Sequence, residues 1–462
     1  LRAVVTNHDT LQAARNGVRA LPLWTWFSCA AILISAGLFP GWGGEAPAAA
    51  AREVIEVTPQ YVNLLAEQMR TNHPALGAAA ARTNAAKFKL EAVRTWEDPM
   101  LKVGGLGAGA GMRADEGDVI YGFEQKLPLF GKPERTRRVA KAELDVEQAS
   151  ADYLFQVLRR DLAKTLFGAA LAERELELGQ EDLAWLETMA AAAQERYRVG
   201  ETTLAQVLRL QSERARRAAL LVSDRQRRER EWTSLNRLLN RELQAPWPRL
   251  ALPPLAGAVV YDERLANFAL RYEPKLKVLE QQIKQAQAEV ELTRRRRWPD
   301  VSLGTEARSY SGSGGLRQGM VTLSLNVPWG NAAKYRRDTA RELANLQARE
   351  LDVADYALSV REEARKLALA LEGVRREALA YRDEIIPPAE QALASAQAAW
   401  SANRGRFYDV LEARRALIEA RLMYARAVAE QYQTLAELVL RCGLGDLEAL
   451  QRIGAQPAEN GN

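Results

Sequence analysis

The sequence predicts a mainly α-helical protein with a small β part, built from one module written twice. Three observations carry that expectation. Pro74, Pro99 and Pro128 return as Pro274, Pro299 and Pro328, each 200 residues later, and punctuation at a fixed offset marks a duplicated unit. Segments 133–240 and 332–440 are rich in Ala, Glu, Leu and Arg, the composition of long helices and coiled coils. Ahead of each segment the apolar period drops to two, which marks a strand with one wet face. Two copies are too few for a free-standing solenoid, where each unit leans on stacked neighbours. The duplication must close another way, and oligomerisation is the simplest.

At the N-terminus, Arg15 and Arg19 precede an apolar run at 21–39 and a small-residue zone at 46–51. These are the parts of a secretory signal peptide, so 1–51 reads as a targeting segment cleaved near 49–51. An uncleaved membrane anchor is the competing reading, because the run is slightly long. Helices follow at 58–71 and 74–96, each opened by a proline (Pro59, Pro74) in the first turn, where its missing N–H is tolerated.

Two hairpins are expected, at 99–128 and 299–328. Val119, Tyr121, Phe123 and Leu127 share one strand face, opposite Gly122, Glu124 and Lys126. In the second copy Val321, Leu323, Leu325 and Val327 oppose Thr322, Ser324 and Asn326. Strands of about ten residues match the tilted crossing of a bilayer by a barrel. One such hairpin alone would suit a soluble protein; two matched hairpins behind a signal peptide point to a membrane. Trp96, Phe130, Trp298 and Trp329 stand where strands meet helices, the place for rings with an apolar body and a polar edge. The run Arg294 to Arg297 faces either lipid head groups or, as a helix end, water.

Each hairpin leads into a very long helix, from 133 to about 198 and from 332 to about 401. Gly200 and Asn403 then turn the chain, since both residue types accept the left-handed conformation that ends a helix. Shorter helices return at 203–240 and 405–440. Pro387 and Pro388 remove two intrahelical donors and should bend the second long helix. The chain thus divides into a first repeat at 58–243, a proline-rich linker at 244–260, a second repeat at 261–445 and a tail at 446–462.

Catalytic chemistry finds little support. The two histidines, His8 and His73, form no pair, and His73 stands at a helix start. Of the two cysteines, Cys29 lies within the apolar run, which leaves Cys442 alone in a cleaved chain and excludes an internal disulfide or a Cys-rich metal site. No phosphate loop, nucleotide fingerprint or nucleophile–base set is present, so no cofactor is expected. Carboxylates sit at helical spacing beside Arg, the pattern of a solvated face. A net charge of +5 with interleaved signs argues against a nucleic-acid partner.

A hairpin, a long helix, a tight turn and a returning helix, written twice, resemble the TolC-like outer-membrane efflux protein family. Tyr197-Arg-Val-Gly-Glu-Thr-Thr-Leu-Ala-Gln-Val-Leu208 is similar to the family's first turn, and Asn403-Arg-Gly-Arg-Phe-Tyr-Asp-Val-Leu411 to its second, with Asn403 where glycine is usual. Leu127-Pro-Leu-Phe-Gly131 and Val327-Pro-Trp-Gly330 resemble its strand-exit motif. The resemblance spans about 58–445. It implies a homotrimer in which twelve strands close an outer-membrane barrel and the helices continue it as a periplasmic tunnel. The implied role is the exit duct of a tripartite, RND-type efflux system, with a membrane-fusion adaptor and an inner-membrane pump as partners. The turns would meet the adaptor through Gly200, Thr203, Leu204, Val207, Leu208, Asn403, Gly405, Asp409, Val410 and Leu411. Alternatively Val207, Leu208, Val410 and Leu411 only staple the turns. Asp383, Glu384 and Glu390 are gate candidates by analogy with charged rings in the family. No lipid anchor is expected, because Cys29 lacks the small-residue context. The repeats look closest to the metal-cation branch; drug efflux, type I protein secretion and a soluble periplasmic coiled-coil scaffold are the alternatives.

Overall fold

The computed structural model describes residues 54–93, 96–106, 118–259, 263–310, 313–402 and 404–444. The expected targeting segment, the tail, Asn403, the first hairpin loop and residues 311–312 of the second lie outside them. In chain order the first half comprises β1 (Val54–Glu56), α1 (Pro59–Asn72), α2 (Pro74–Ala92), β2 (Met100–Leu106), β3 (Asp118–Leu127), α3 (Lys132–Arg198) and α4 (Leu204–Leu238). The second comprises β4 (Arg249–Ala251), α5 (Glu263–Tyr272), α6 (Pro274–Arg295), β5 (Val301–Tyr310), β6 (Leu316–Leu325), α7 (Ala332–Ala380), α8 (Ile386–Ser401) and α9 (Phe407–Arg441).

The prolines open helices as their chemistry requires. Pro59 follows Thr58, whose hydroxyl accepts from the Tyr61 N–H at 3.2 Å, and Pro74 follows His73, whose Nδ1 accepts from the Ala75 N–H at 3.1 Å. Burial, aided by Arg237, lowers the pKa of His73 and keeps that nitrogen free to accept. In the second copy Glu273 takes this place, its buried carboxylate accepting from the Leu276 N–H at 2.6 Å. The same carboxylate accepts from the Tyr356 hydroxyl at 2.8 Å, and that hydroxyl accepts from Arg441 at 2.8 Å, which ties α6 to α7 and α9.

All four long-helix ends close alike. The N–H of Glu201 donates to the Arg196 carbonyl at 2.9 Å, and that of Arg404 to Ala399 at 2.8 Å. The N–H of Arg241 donates to Asn236 at 2.8 Å, and that of Leu444 to Val439 at 3.1 Å. Each second-copy bond lies 203 residues beyond its counterpart. These six-to-one bonds satisfy carbonyls a helix end would otherwise orphan. Left-handed Gly200 (φ 78°) supplies the first, and Asn240 (φ 53°) and Gly443 (φ 59°) supply the last two.

At 67 residues, α3 runs about 100 Å by helical rise, so no single core covers it. The main core gathers midway, where Met69 of α1, Leu162, Leu166 and Phe167 of α3, Leu235 and Leu238 of α4, and Leu435 of α9 are almost wholly buried. Phe167 stacks on Tyr432 with ring centroids 4.8 Å apart. Alternating Ala169 and Ala170 with these large side chains lets the helices approach closely.

One finding differs from the sequence reading, and one gives the expected bend of the second long helix its form. The proline-rich segment expected as a linker is built into this core. Its β4 pairs in parallel with β1 (Ile55 opposite Leu250), and Trp247 is buried with its indole N–H on Asn236 Oδ1 at 2.8 Å. Three-residue strands carry no readable period, which is why neither was foreseen. The second long helix is two helices, joined by a π-turn at Tyr381–Ile385 in which the Ile386 N–H reaches back to the Tyr381 carbonyl. Pro387 and Pro388 lack the donors a regular helix would need there.

Burial pushes the Cys442 thiol up to about 12 from an ordinary 9.0. The thiolate is the reactive form, so native Cys442 should react with a maleimide at pH 8 about 1000-fold or more slowly than in urea. Timed alkylation in a Cys29→Ser background checks this; equal rates in both states would place the thiol at the surface.

Candidate functional site

Both hairpins join one antiparallel sheet of order β2-β3-β5-β6. The central pairing sets Tyr121 opposite Ala307, Phe123 opposite Thr305 and Leu127 opposite Val301. Leu101 lies opposite Phe123, and Leu303 opposite Leu323. With side chains alternating along each strand, Leu101, Val103, Val119, Tyr121, Phe123, Leu303, Val321, Leu323 and Leu325 share one face. Nothing among the described residues covers it: Leu101 is 77% exposed, Val103 76%, Val321 72% and Leu323 66%. The other face carries the Lys102–Glu124 ion pair with Glu306, Arg308 and Gln318. Strands β2 and β6 each pair on one side only, so both edges offer unpaired backbone groups.

The strand ends that meet helices lie together, because Leu127 pairs with Val301 and Val301 with Leu325. The four aromatics predicted for a boundary stand at this end. Phe130 stacks on Trp298 at 5.2 Å, while Trp96, Phe130, Trp298 and Trp329 are all exposed. Phe130 and Gly131 both have positive φ (61° and 68°), which turns the chain sharply from β3 into α3. Lys132 then holds the junction, its Nζ donating to the Trp298 carbonyl and to Asp300 Oδ1, each at 2.7 Å.

At the opposite end of the long helices, the two turns pack on each other. Val207, Leu210, Phe407 and Leu411 are buried together with Leu186 and Ala193, and Val410 is buried against Leu393 and Leu417. Thus Val207, Val410 and Leu411 staple the turns, while Leu204 (51%) and Leu208 (53%) point outward. Gly200, Thr203 and Asp409 are exposed. A Cβ on Gly405 would stand 2.9 Å from that of Ala399, so only glycine fits there without displacement. The sequence did not single out Arg196 or Trp400. Arg196 lies 4.1 Å over the Trp400 ring and donates to the carbonyls of Trp400 (3.0 Å) and Ser401 (3.2 Å). Its second-copy counterpart is Ala399, so no repeat pattern marked it.

The three acidic gate candidates are not at this tip. Asp383 and Glu384 sit in the π-turn and Glu390 just beyond it, about 15–30 Å from the end of α8 by helical rise. All three are exposed. Asp383 accepts from Arg382 at 2.8 Å, which lowers its pKa, and Glu390 accepts from Arg421 at 2.7 Å. Other carboxylates depart from the expected solvated pattern. Buried Glu175 of α3 takes Arg227 of α4 at 2.6 Å and Arg426 of α9 at 3.0 Å, and Asp182 takes Arg414 at 3.1 Å. These pairs fix α3 between its neighbours. Among the described residues no cluster suits a metal ion, and no helix is long and apolar enough to cross a membrane.

The sequence matches the profile of the family described as outer membrane efflux protein over residues 65–241 and 265–444, well over half the chain. The chain belongs to that family. Solved structures share the fold of this family member. The outer-membrane channel OprN superposes with a TM-score of 0.73 at 19% identity, over 84% of this chain and 90% of that one. VceC of Vibrio cholerae gives 0.70 at 16% identity, over 84% and 97%. CmeC of Campylobacter jejuni, an outer membrane channel, gives 0.72 at 13%, over 86% and 89%. No curated protein matched the sequence. As a family member the chain is an outer-membrane efflux channel, the exit duct of a tripartite pump and not an enzyme.

The Arg196 clamp is worth ~1–2 kcal/mol from its cation–π contact and carbonyl bonds. Arg196→Ala should leave overall helicity unchanged and speed limited proteolysis between 399 and 406 several-fold. Unchanged cleavage would show the turns held by the apolar staple alone.

Proposed function

We propose that three copies of this chain close a twelve-stranded barrel in the outer membrane, continued by helices across the periplasm. The observation that carries this is the four-stranded sheet with an uncovered apolar face and two open edges. Lipid cannot hydrogen-bond a bare strand edge, so a sheet of this kind must close on itself, and further copies supply the missing strands. The exposed face then meets acyl chains, the polar face lines the duct, and Trp96, Phe130, Trp298 and Trp329 sit at the inner membrane boundary.

The tip turns face a membrane-fusion adaptor, itself joined to an RND-type inner-membrane pump that supplies the energy. Leu204 and Leu208 make the contact, with Thr203 and Asp409 at its rim, while Gly200, Asn403 and Gly405 shape the turns. Asp383, Glu384 and Glu390 act above the tip, where the Glu390–Arg421 pair ties α8 to α9. The form of the repeats favours metal cations as cargo, passing through without a resident ligand set. The targeting segment is cleaved.

Fractionated cells should yield a detergent-resistant trimer in the outer membrane that dissociates on heating. Replacing Leu323 and Leu325 with Lys should abolish it, since each charge on a lipid face costs about 2–4 kcal/mol. A soluble monomer or dimer from the unaltered chain would favour the periplasmic scaffold instead. In a deletion strain challenged with metals and drugs, Leu204→Asp with Leu208→Asp should lower resistance at least fourfold with the trimer intact. Full resistance would move the adaptor contact elsewhere.

A further inference from the structure

The duplication supplies its own control for a groove between the end of α6 and the start of α7. The groove encloses about 790 Å³ and is lined by Arg294, Arg297 and Arg336 together with Trp298, Trp329 and Leu343; no acidic residue lines it. Its counterpart in the first repeat is about 270 Å³ and holds Glu97, Lys126, Lys132 and Asp300. That one neutralises itself, with Lys126 on Glu97 and Lys132 on Asp300, both at 2.7 Å. Across the offset of 200, Glu97 has become Arg297, Leu129 has become Trp329, Thr136 has become Arg336 and Glu143 has become Leu343. These four changes add positive charge, remove negative charge or add apolar surface; against them, Ala332 and Tyr335 stand where the first repeat has Lys132 and Arg135.

The geometry points to a binding site for an anionic glycerophospholipid, one per subunit, in this second-repeat groove. The three guanidiniums carry no ion pair among the described residues, so their donors are free for a phosphate. A head group alone would not need the rest of the wall. Trp329 is 65% exposed, Leu343 41%, and the exposed Val327 and Leu325 lead from the groove onto the apolar face of the sheet. A ligand with a phosphate at one end and an acyl chain at the other fits that sequence of surfaces, and basic pockets at a membrane boundary bind such lipids. The inference rests on the barrel reading, because it places the groove beside the inner leaflet.

Trimers purified in mild detergent, stripped of lipid and titrated with phosphatidylglycerol, can be read by native mass spectrometry. The unaltered chain should bind lipid to a limit of one per subunit, and millimolar inorganic phosphate should shift its apparent Kd less than twofold. Arg294→Gln, Arg297→Gln and Arg336→Gln combined should weaken binding at least tenfold. The single Arg297→Glu, which restores the first-repeat residue, should weaken it at least threefold. Equal binding by these variants would overturn the site, and complete displacement by phosphate would make it a free-anion site instead. Unheated gels of the same preparations report trimer formation separately, so failure of the barrel reading is distinguished from failure of the lipid site.

Discussion

Backbone hydrogen bonding at the edges of the sheet is the constraint on which the rest of this molecule depends. A strand edge exposes a row of N–H and C=O groups, and water or another strand must meet them. Here the two edges flank a face of Leu, Val, Phe and Tyr that the described residues leave bare. In water such a face would collapse onto an apolar partner, and in lipid the edges must be sealed. Closure by further copies, as proposed, would answer both demands for the four long strands among the described residues.

The helical body follows from the same arrangement. Each strand is continuous with a long helix, so strand order fixes helix order: α2 precedes β2, α3 follows β3, α6 precedes β5 and α7 follows β6. Helices laid side by side along a duct have no shared centre to bury, and their contacts must be distributed. The chain uses alanine for close approach, one broad apolar belt midway, and buried acid–arginine ties such as Glu175 with Arg227 and Arg426. A carboxylate in that setting is tolerated because two guanidiniums accompany it. At the far end a separate small core, clamped by Arg196 on Trp400, keeps the two turns together.

Duplication gave the two halves one plan and then let them diverge. The four helix ends keep the same closing bond at an offset of 203 residues. In contrast, α3 is continuous where α7 and α8 are broken by the π-turn, and the groove that is self-neutralised in one half is wholly cationic in the other. A duct built from such halves is regular where backbone geometry demands it and asymmetric where side chains carry a task.

Local chemistry made much of this legible from the sequence alone. Proline positions, the switch from a helical to a two-residue period, and Gly200 at a helix end each report on backbone dihedrals, which neighbouring residues set. The hairpins, the long helices, their turns and the place of four aromatics at the strand–helix junctions could therefore be read directly. Pairing between distant segments could not. The β3–β5 contact that makes one sheet of two hairpins, the short β1–β4 ladder that buries Trp247, the division of the tip residues into buried Val207, Val410 and Leu411 and exposed Leu204 and Leu208, and the Arg196 clamp all depend on which surfaces meet in space. Only the tertiary structure decided them, because the energy of a contact resides in a pair of residues and the sequence gives no sign of who the second will be.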